Sequence, residues 1–153
     1  MTDRDKIDNC ENIFLTKLYE PKQSQLLIEI ALGSVSEIEE EVFVGNKSLG
    51  LGRQISFNED SDKYEIYFDS YISYFILNER YDTGLASEYF GDRIREYRQS
   101  PFIDFCMRET TGFFLHENDS IKHFVLVTQN HIVNVLTTSA LEVKPIGHRG
   151  NRS

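Results

Sequence analysis

Fourteen consecutive residues, YEIYFDSYISYFIL at 64–77, constrain the fold more than any other part of the chain. Their apolar positions satisfy two periods at once. Phe68, Tyr71, Ile72, Phe75 and Ile76 recur at helical spacing, and Tyr64, Ile66, Phe68, Ile72 and Tyr74 at strand spacing. Composition breaks the tie: four Tyr, three Ile and two Phe, with no Ala, Lys, Gln or Arg, lose rotamer freedom on a helix and pack well on a pleated surface. The stretch is therefore predicted as one long strand, bent near Asp69 and Ser70. One face carries Ile66, Phe68, Ser70, Ile72, Tyr74 and Ile76 inward, and the other presents Glu65, Tyr67, Asp69, Tyr71, Ser73 and Phe75.

The neighbouring segments read the same way. SQLLIEIAL at 24–32 alternates between Pro21 and Gly33 and is predicted as a strand. SEIEEEVFVG at 36–45 fits both a capping box, from Ser36 and Glu39, and a strand, from Val42, Phe43 and Val44; strand is the favoured reading. RQISF at 53–57 and YEIYF at 64–68, joined by NEDSDK, read as a hairpin, with LGLGRQ at 49–54 as a turn before it. DRIREYRQ reads as an edge strand blunted by charge. SPFIDFCMRET is a helix start: Ser100 as N-cap, Pro101 as first residue, Asp104 near the positive end of the dipole, with Phe102, Phe105 and Cys106 on one face. KHFVLVTQNHIVNVLTT reads as two strands meeting at Gln129 and Asn130, and LEVKPI as a last extended piece.

Strands that do not alternate with helices build an antiparallel sheet. The expected class is α+β: a mainly antiparallel twisted sheet of about six to eight strands, with one helix near 101–110 packed on it. A length of 153 residues suits one core. The sequence reads as a flexible N-terminal tail at 1–9, a single domain at 10–146 and a flexible C-terminal tail at 147–153.

Charge narrows the partners. With 25 acids against 16 bases the net charge is -9, a poor footprint for a phosphate backbone, so no nucleic acid is expected. The segment MTDRDKIDNCENIF lacks a signal-peptide pattern, and no apolar run approaches the roughly 18 residues a bilayer requires, so no membrane partner and a cytoplasmic location are expected. Cys10 and Cys106 have no CxxC spacing and read as reduced thiols.

Chemical motifs are sparse. His116, His123, His131 and His148 form no HExxH or HxH pair, so no metal is expected, and His123 and His131 read as caps of strand ends near the 129–130 turn. LGLGRQ lacks the third glycine of GxGxxG and the GK[ST] of a P-loop, and no cofactor is expected. Cys106 lies too far into its helix for the dipole to activate the thiol, and no catalytic residue is assigned. What remains is a face on which acids and tyrosines interleave: Glu65, Tyr67, Asp69 and Tyr71, with Glu39, Glu40 and Glu41 adding to the same negative field if that run folds nearby. The ordinary alternative is the wet face of an antiparallel sheet.

These features point to a non-enzymatic acidic binding protein of the immunity or antitoxin type, masking a basic protein partner; a homo-oligomer is compatible with them. The alternative is a small-ligand module or enzyme with a site between sheet and helix, using Tyr74, Cys106, His123 and His131. FDSYISYFILNERY, SPFIDF and KHFVLVTQNHIVNVL together resemble a group of small uncharacterised bacterial proteins. That resemblance implies a bacterial origin and transfers no residue role.

Overall fold

The 64–77 stretch is extended, but as two strands in different sheets. The computed structural model describes residues 1–83, 88–117 and 120–147. Its elements are α1 (Asp3–Asp8), β1 (Ile13–Tyr19), β2 (Leu26–Leu32), β3 (Ser34–Val44), β4 (Lys47–Ser56), β5 (Lys63–Phe68), β6 (Ser73–Asn78), β7 (Ile94–Tyr97), α2 (Pro101–Glu109), α3 (Gly112–Leu115), β8 (Lys122–Val127), β9 (His131–Thr137) and β10 (Leu141–Ile146). The fold class is α+β with antiparallel pairing, as the period-two patterns imply. Among the described residues there are ten strands, more than the expected six to eight. β1 was not legible, and the bend at Asp69 and Ser70 divides one expected strand into β5 and β6.

The first sheet has the order β1-β2-β5-β10. Tyr64, Ile66 and Phe68 of β5 are buried and alternate with half-exposed Lys63, Glu65 and Tyr67. Ile66 lies between Ile28 and Val143, and Phe68 between Leu26 and Leu141. A bulge at Thr16 shifts the register of β1, so that Leu15 pairs with Ile30 and Leu18 with Ile28, putting both leucines on the inner face despite their odd spacing.

The second sheet has the order β6-β9-β8-β7. Its inner face sets Val133 between Ile76 and Leu126, and Val135 between Tyr74 and Phe124. The two inner faces meet in one core, where the Phe68 and Phe124 rings lie 5.6 Å apart. The void left between them is about 10 Å³, no more than a single water needs. On the far face α2 packs over Leu136 and Ile121 with Ile103 and Cys106. The chain thus forms three layers of sheet, sheet and helix.

Several expectations are corrected here. Ile72 joins the cluster under α2, not the core that holds Ile66 and Phe68, and Ile76 is 44% exposed, because β6 is an edge strand with little beyond it to cover its end. Ser100 caps α2 as expected, its Oγ accepting from the Ile103 N–H at 3.2 Å. The buried stripe, however, is Ile103 and Cys106 with Phe102 and Met107 beside them, and Phe105 is 47% exposed; the helix is rotated from the predicted face. RQISF does not form a hairpin with YEIYF. β4 pairs with β3 as a separate two-stranded ribbon, LGLGRQ lies inside β4, and the turn falls at Gly45, whose φ of +61° glycine tolerates best. Residues 1–9 are not a loose tail. Thr2 and Asp5 form a capping box, Ile7 is fully buried, and Asp8 Oδ1 accepts from the backbone N–H groups of Arg93 and Ile94 at 2.8 and 2.9 Å. The expected C-terminal tail from residue 148, including His148, lies outside the described residues.

Candidate partner-binding surface

β1 ends at Tyr19, just before Glu20 and Pro21, which cannot continue a ladder, and the connection to β2 turns through Ser24 at φ +66°. The passage from β5 to β6 packs against that connection, with the Tyr71 N–H donating to Ser24 O at 2.8 Å. This contact brings two carboxylates and three phenols to one end of the first sheet. The Tyr71 hydroxyl donates to Glu20 Oε1, and the Tyr74 hydroxyl donates to Glu20 Oε2 at 3.2 Å. The two rings meet edge to face with centroids 4.8 Å apart. Alongside, the Tyr67 hydroxyl donates to Asp69 Oδ1 at 3.0 Å, and Gln25 Nε2 donates to the same oxygen at 3.4 Å.

A phenol that donates to a carboxylate resists ionisation, because the phenolate would face a second negative charge. The Tyr71 hydroxyl is pushed up to about 12, first by its bond to Glu20 and then by burial. Tyr74 and Tyr67 are raised as well, chiefly by burial, with Glu20 and Asp69 adding to the effect. The phenols are fixed as donors and the carboxylates as oriented acceptors.

The predicted surface residues divide into three places. Tyr67, Asp69 and Tyr71 come together at this end with Tyr74. Glu65 sits on the outer face of β5, between Glu29 and Lys144, with Lys17 beyond Glu29, so the row across the sheet carries two acids and two bases. Glu39, Glu40 and Glu41 lie on β3 of the ribbon, and Glu39 approaches Arg53 at 3.8 Å. They belong to a sheet that is not hydrogen-bonded to the one carrying Tyr67. Glu20 and Gln25 were missed. Glu20 stands 51 and 54 residues from its tyrosines, and no local spacing announces such a pairing.

The four residues of the alternative site do not converge. Tyr74 is on the inter-sheet face, and His131 is at the 129–130 turn with Nδ1 bonded to Gln129 O at 3.2 Å. Cys106 borders a cavity of about 380 Å³ between the second sheet and the helices, with Ser73, Thr110, His116 and Leu136. His123 caps nothing: it is 7% exposed within β8, stacked on Tyr97 at 5.1 Å and edge-on to Phe102 at 5.3 Å. Its Nδ1 lies 2.8 Å from Ser100 Oγ, and its Nε2 lies 2.9 Å from Asn134 Oδ1.

The hydrogens of this chain can be assigned. Asn134 Nδ2 donates to Ile132 O at 3.3 Å, which turns Oδ1 toward the imidazole. Nε2 must then carry the proton, and the bare Nδ1 accepts from the Ser100 hydroxyl, whose oxygen in turn accepts from Ile103 N–H. Burial lowers the His123 pKa from its ordinary 6.5, opposed by the bond to Asn134, and keeps the ring neutral. A serine, an imidazole and an amide in line have the order of a nucleophile, its base and an orienting group. The residue after Ser100 is Pro101, however, which has no N–H for a developing oxyanion, and Ser100 Oγ already serves as helix cap. The chain therefore braces α2 against β8 and β9.

Among the described residues no group of three or more His, Cys, Asp or Glu side chains is placed to hold a metal ion, and no helix is long and apolar enough to cross a membrane. No family model matches this chain, and neither does any curated protein or solved structure.

Proposed function

We propose that this chain is a non-enzymatic binding protein of the immunity or antitoxin type, acting in the cytoplasm, which masks a basic protein partner with its acid–tyrosine end. One observation carries the reading: Glu20 and Asp69, from segments far apart in sequence, are each held by tyrosine hydroxyls before any partner arrives. Oriented carboxylates accept a guanidinium or ammonium with little loss of side-chain freedom, and the net charge of -9 draws a cationic surface in. Tyr67 and Tyr71 add broad, rigid contact area beside the charges. The same net charge repels a phosphate backbone, which makes a protein the favoured partner.

Affinity capture from the source cells followed by binding kinetics tests this. The recovered partner should be a basic protein. Asp69→Asn should slow association at low salt and matter little at high salt, because exposed charges are screened beyond about 10 Å at 0.1 M. Tyr71→Ala should speed dissociation by a factor equivalent to roughly 2 kcal/mol. Recovery of nucleic acid or of acidic proteins, or association rates unmoved by Asp69→Asn at low salt, would overturn the proposal.

A further inference from the structure

We infer that the β3–β4 ribbon is a docking strand for an extended segment of the partner in which Lys or Arg alternates with aliphatic residues, added along the open edge of β3. This rests on the reading above that the partner is a basic protein, and it adds where and in what conformation that partner is held.

The ribbon is anomalous as a finished structure. Its strands of 11 and 10 residues pair only with each other among the described residues. No ribbon side chain enters either core cluster. A two-stranded ribbon is marginal in water without a third strand or a covering layer. Yet Ile38, Phe43, Val44, Leu49 and Leu51 are each between 56% and 70% exposed. Large apolar side chains gathered on an exposed element mark a surface built to be covered. With β4 on one side, the backbone N–H and C=O groups on the other side of β3 are open to strand addition.

Charge selects the occupant. β3 carries Glu37, Glu39, Glu40 and Glu41. Arg53 takes up Glu39, while Glu40 and Glu41 stand opposite Gly52 and Leu51, which carry no charge. A second copy is disfavoured: twofold antiparallel pairing of β3 with β3 about Glu40 sets one Glu39–Glu41 run against the other, and directly opposed like charges destabilise a ladder. A strand with cations at alternate positions answers Glu39 and Glu41, which alternation sets on one face of β3, and its aliphatic positions cover exposed apolar side chains.

The test uses the full chain and an alternating Lys–Val peptide of 11 residues, the length of β3, with a Glu–Val peptide as control. Amide hydrogen exchange maps the contact. The Lys–Val peptide should protect amides of β3 and bind more weakly as salt rises, and the Glu–Val peptide should not bind. Phe43→Ser combined with Leu51→Ser should weaken binding about tenfold and leave the denaturation midpoint of the domain unchanged, since neither side chain is in the core. Protection confined to residues 20–25 and 67–74 overturns this inference but not the basic-partner reading. Failure of the Lys–Val peptide to bind anywhere overturns this inference, and recovery of only nucleic acid or acidic proteins by affinity capture overturns the basic-partner reading as well. Ribbon protection that grows with protein concentration in the absence of peptide assigns the ribbon to a second copy and overturns the inference.

Discussion

Removing the imidazole of His123 tests whether the Ser100–His123–Asn134 chain is a structural brace. In His123→Ala the Ser100 hydroxyl loses its acceptor and Asn134 Oδ1 loses its donor, while the two residues are only 6% and 7% exposed. A buried polar group left unpaired costs about 1–3 kcal/mol, so the two together cost roughly 2–6 kcal/mol before any cavity term. That is a large part of the stability of a typical domain. His123→Asn is the milder companion: its amide oxygen still offers an acceptor toward Ser100, only Asn134 is orphaned, and the loss should be about 1–3 kcal/mol. The imidazole also sets a pH signature. Burial holds the folded-state pKa below 6.5, so below that pH the unfolded chain takes up a proton that the folded chain refuses. The contribution of His123 is therefore complete above 6.5 and is lost as the pH falls toward the folded-state value, at up to about 1.4 kcal/mol per pH unit. Urea denaturation of the native chain and His123→Asn at about pH 7.5 and about pH 5.5 isolates the effect, because the other histidines are common to both. The native chain should lose more stability on acidification than the variant. Equal losses would refute the lowered pKa of His123, and a nitrogen-detected spectrum placing the proton on Nδ1 would refute the assigned hydrogen-bond direction.

Other consequences are equally direct. Asp8→Ala should cost about 2–4 kcal/mol and loosen α1, because the carboxylate accepts from two backbone N–H groups of β7 and its approach; a change under 0.5 kcal/mol in urea melts would return residues 1–9 to the status of a tail. Ile66→Ala should cost about 2–5 kcal/mol, since Ile66 is buried between Ile28 and Val143, and retention of the native denaturation midpoint would show that the two sheets do not meet there. Glu20→Gln should bring the Tyr71 hydroxyl down from about 12 toward its ordinary 10.0, followed as tyrosinate absorbance during alkaline titration. An unchanged titration curve would place Glu20 away from Tyr71.

Local patterns carried the sequence reading as far as they extend. The alternation of Leu26, Ile28 and Ile30, the Ser100–Pro101 helix start and the Gln129–Asn130 turn are decided within a few residues, and each element formed where those residues put it. Side-chain period, capping and backbone preference are nearest-neighbour physics, so they can be read without knowing the fold. The three aspartates around Ile7 give residues 1–9 the composition of a tail; one buried isoleucine and one carboxylate bonded to β7 and its approach outweigh that composition, and the partners of both are remote in sequence.

Tertiary structure decided what depends on distant partners. Whether Asp69 and Ser70 bend one strand or pass the chain between two sheets depends on β2 and β10 claiming β5 while β9 claims β6. The role of Tyr71 depended on Glu20, and that of His123 on Ser100 and Asn134, none of them within 10 residues of the group they fix. The acid–tyrosine composition of the surface was thus a property of the sequence. The grouping of those residues into one oriented site, with Glu39–Glu41 left on a separate ribbon, arose only when strand pairing fixed which segments became neighbours. A hydrogen bond needs both partners within about 3 Å, and sequence spacing specifies that distance only inside a helix turn, a hairpin or a cap.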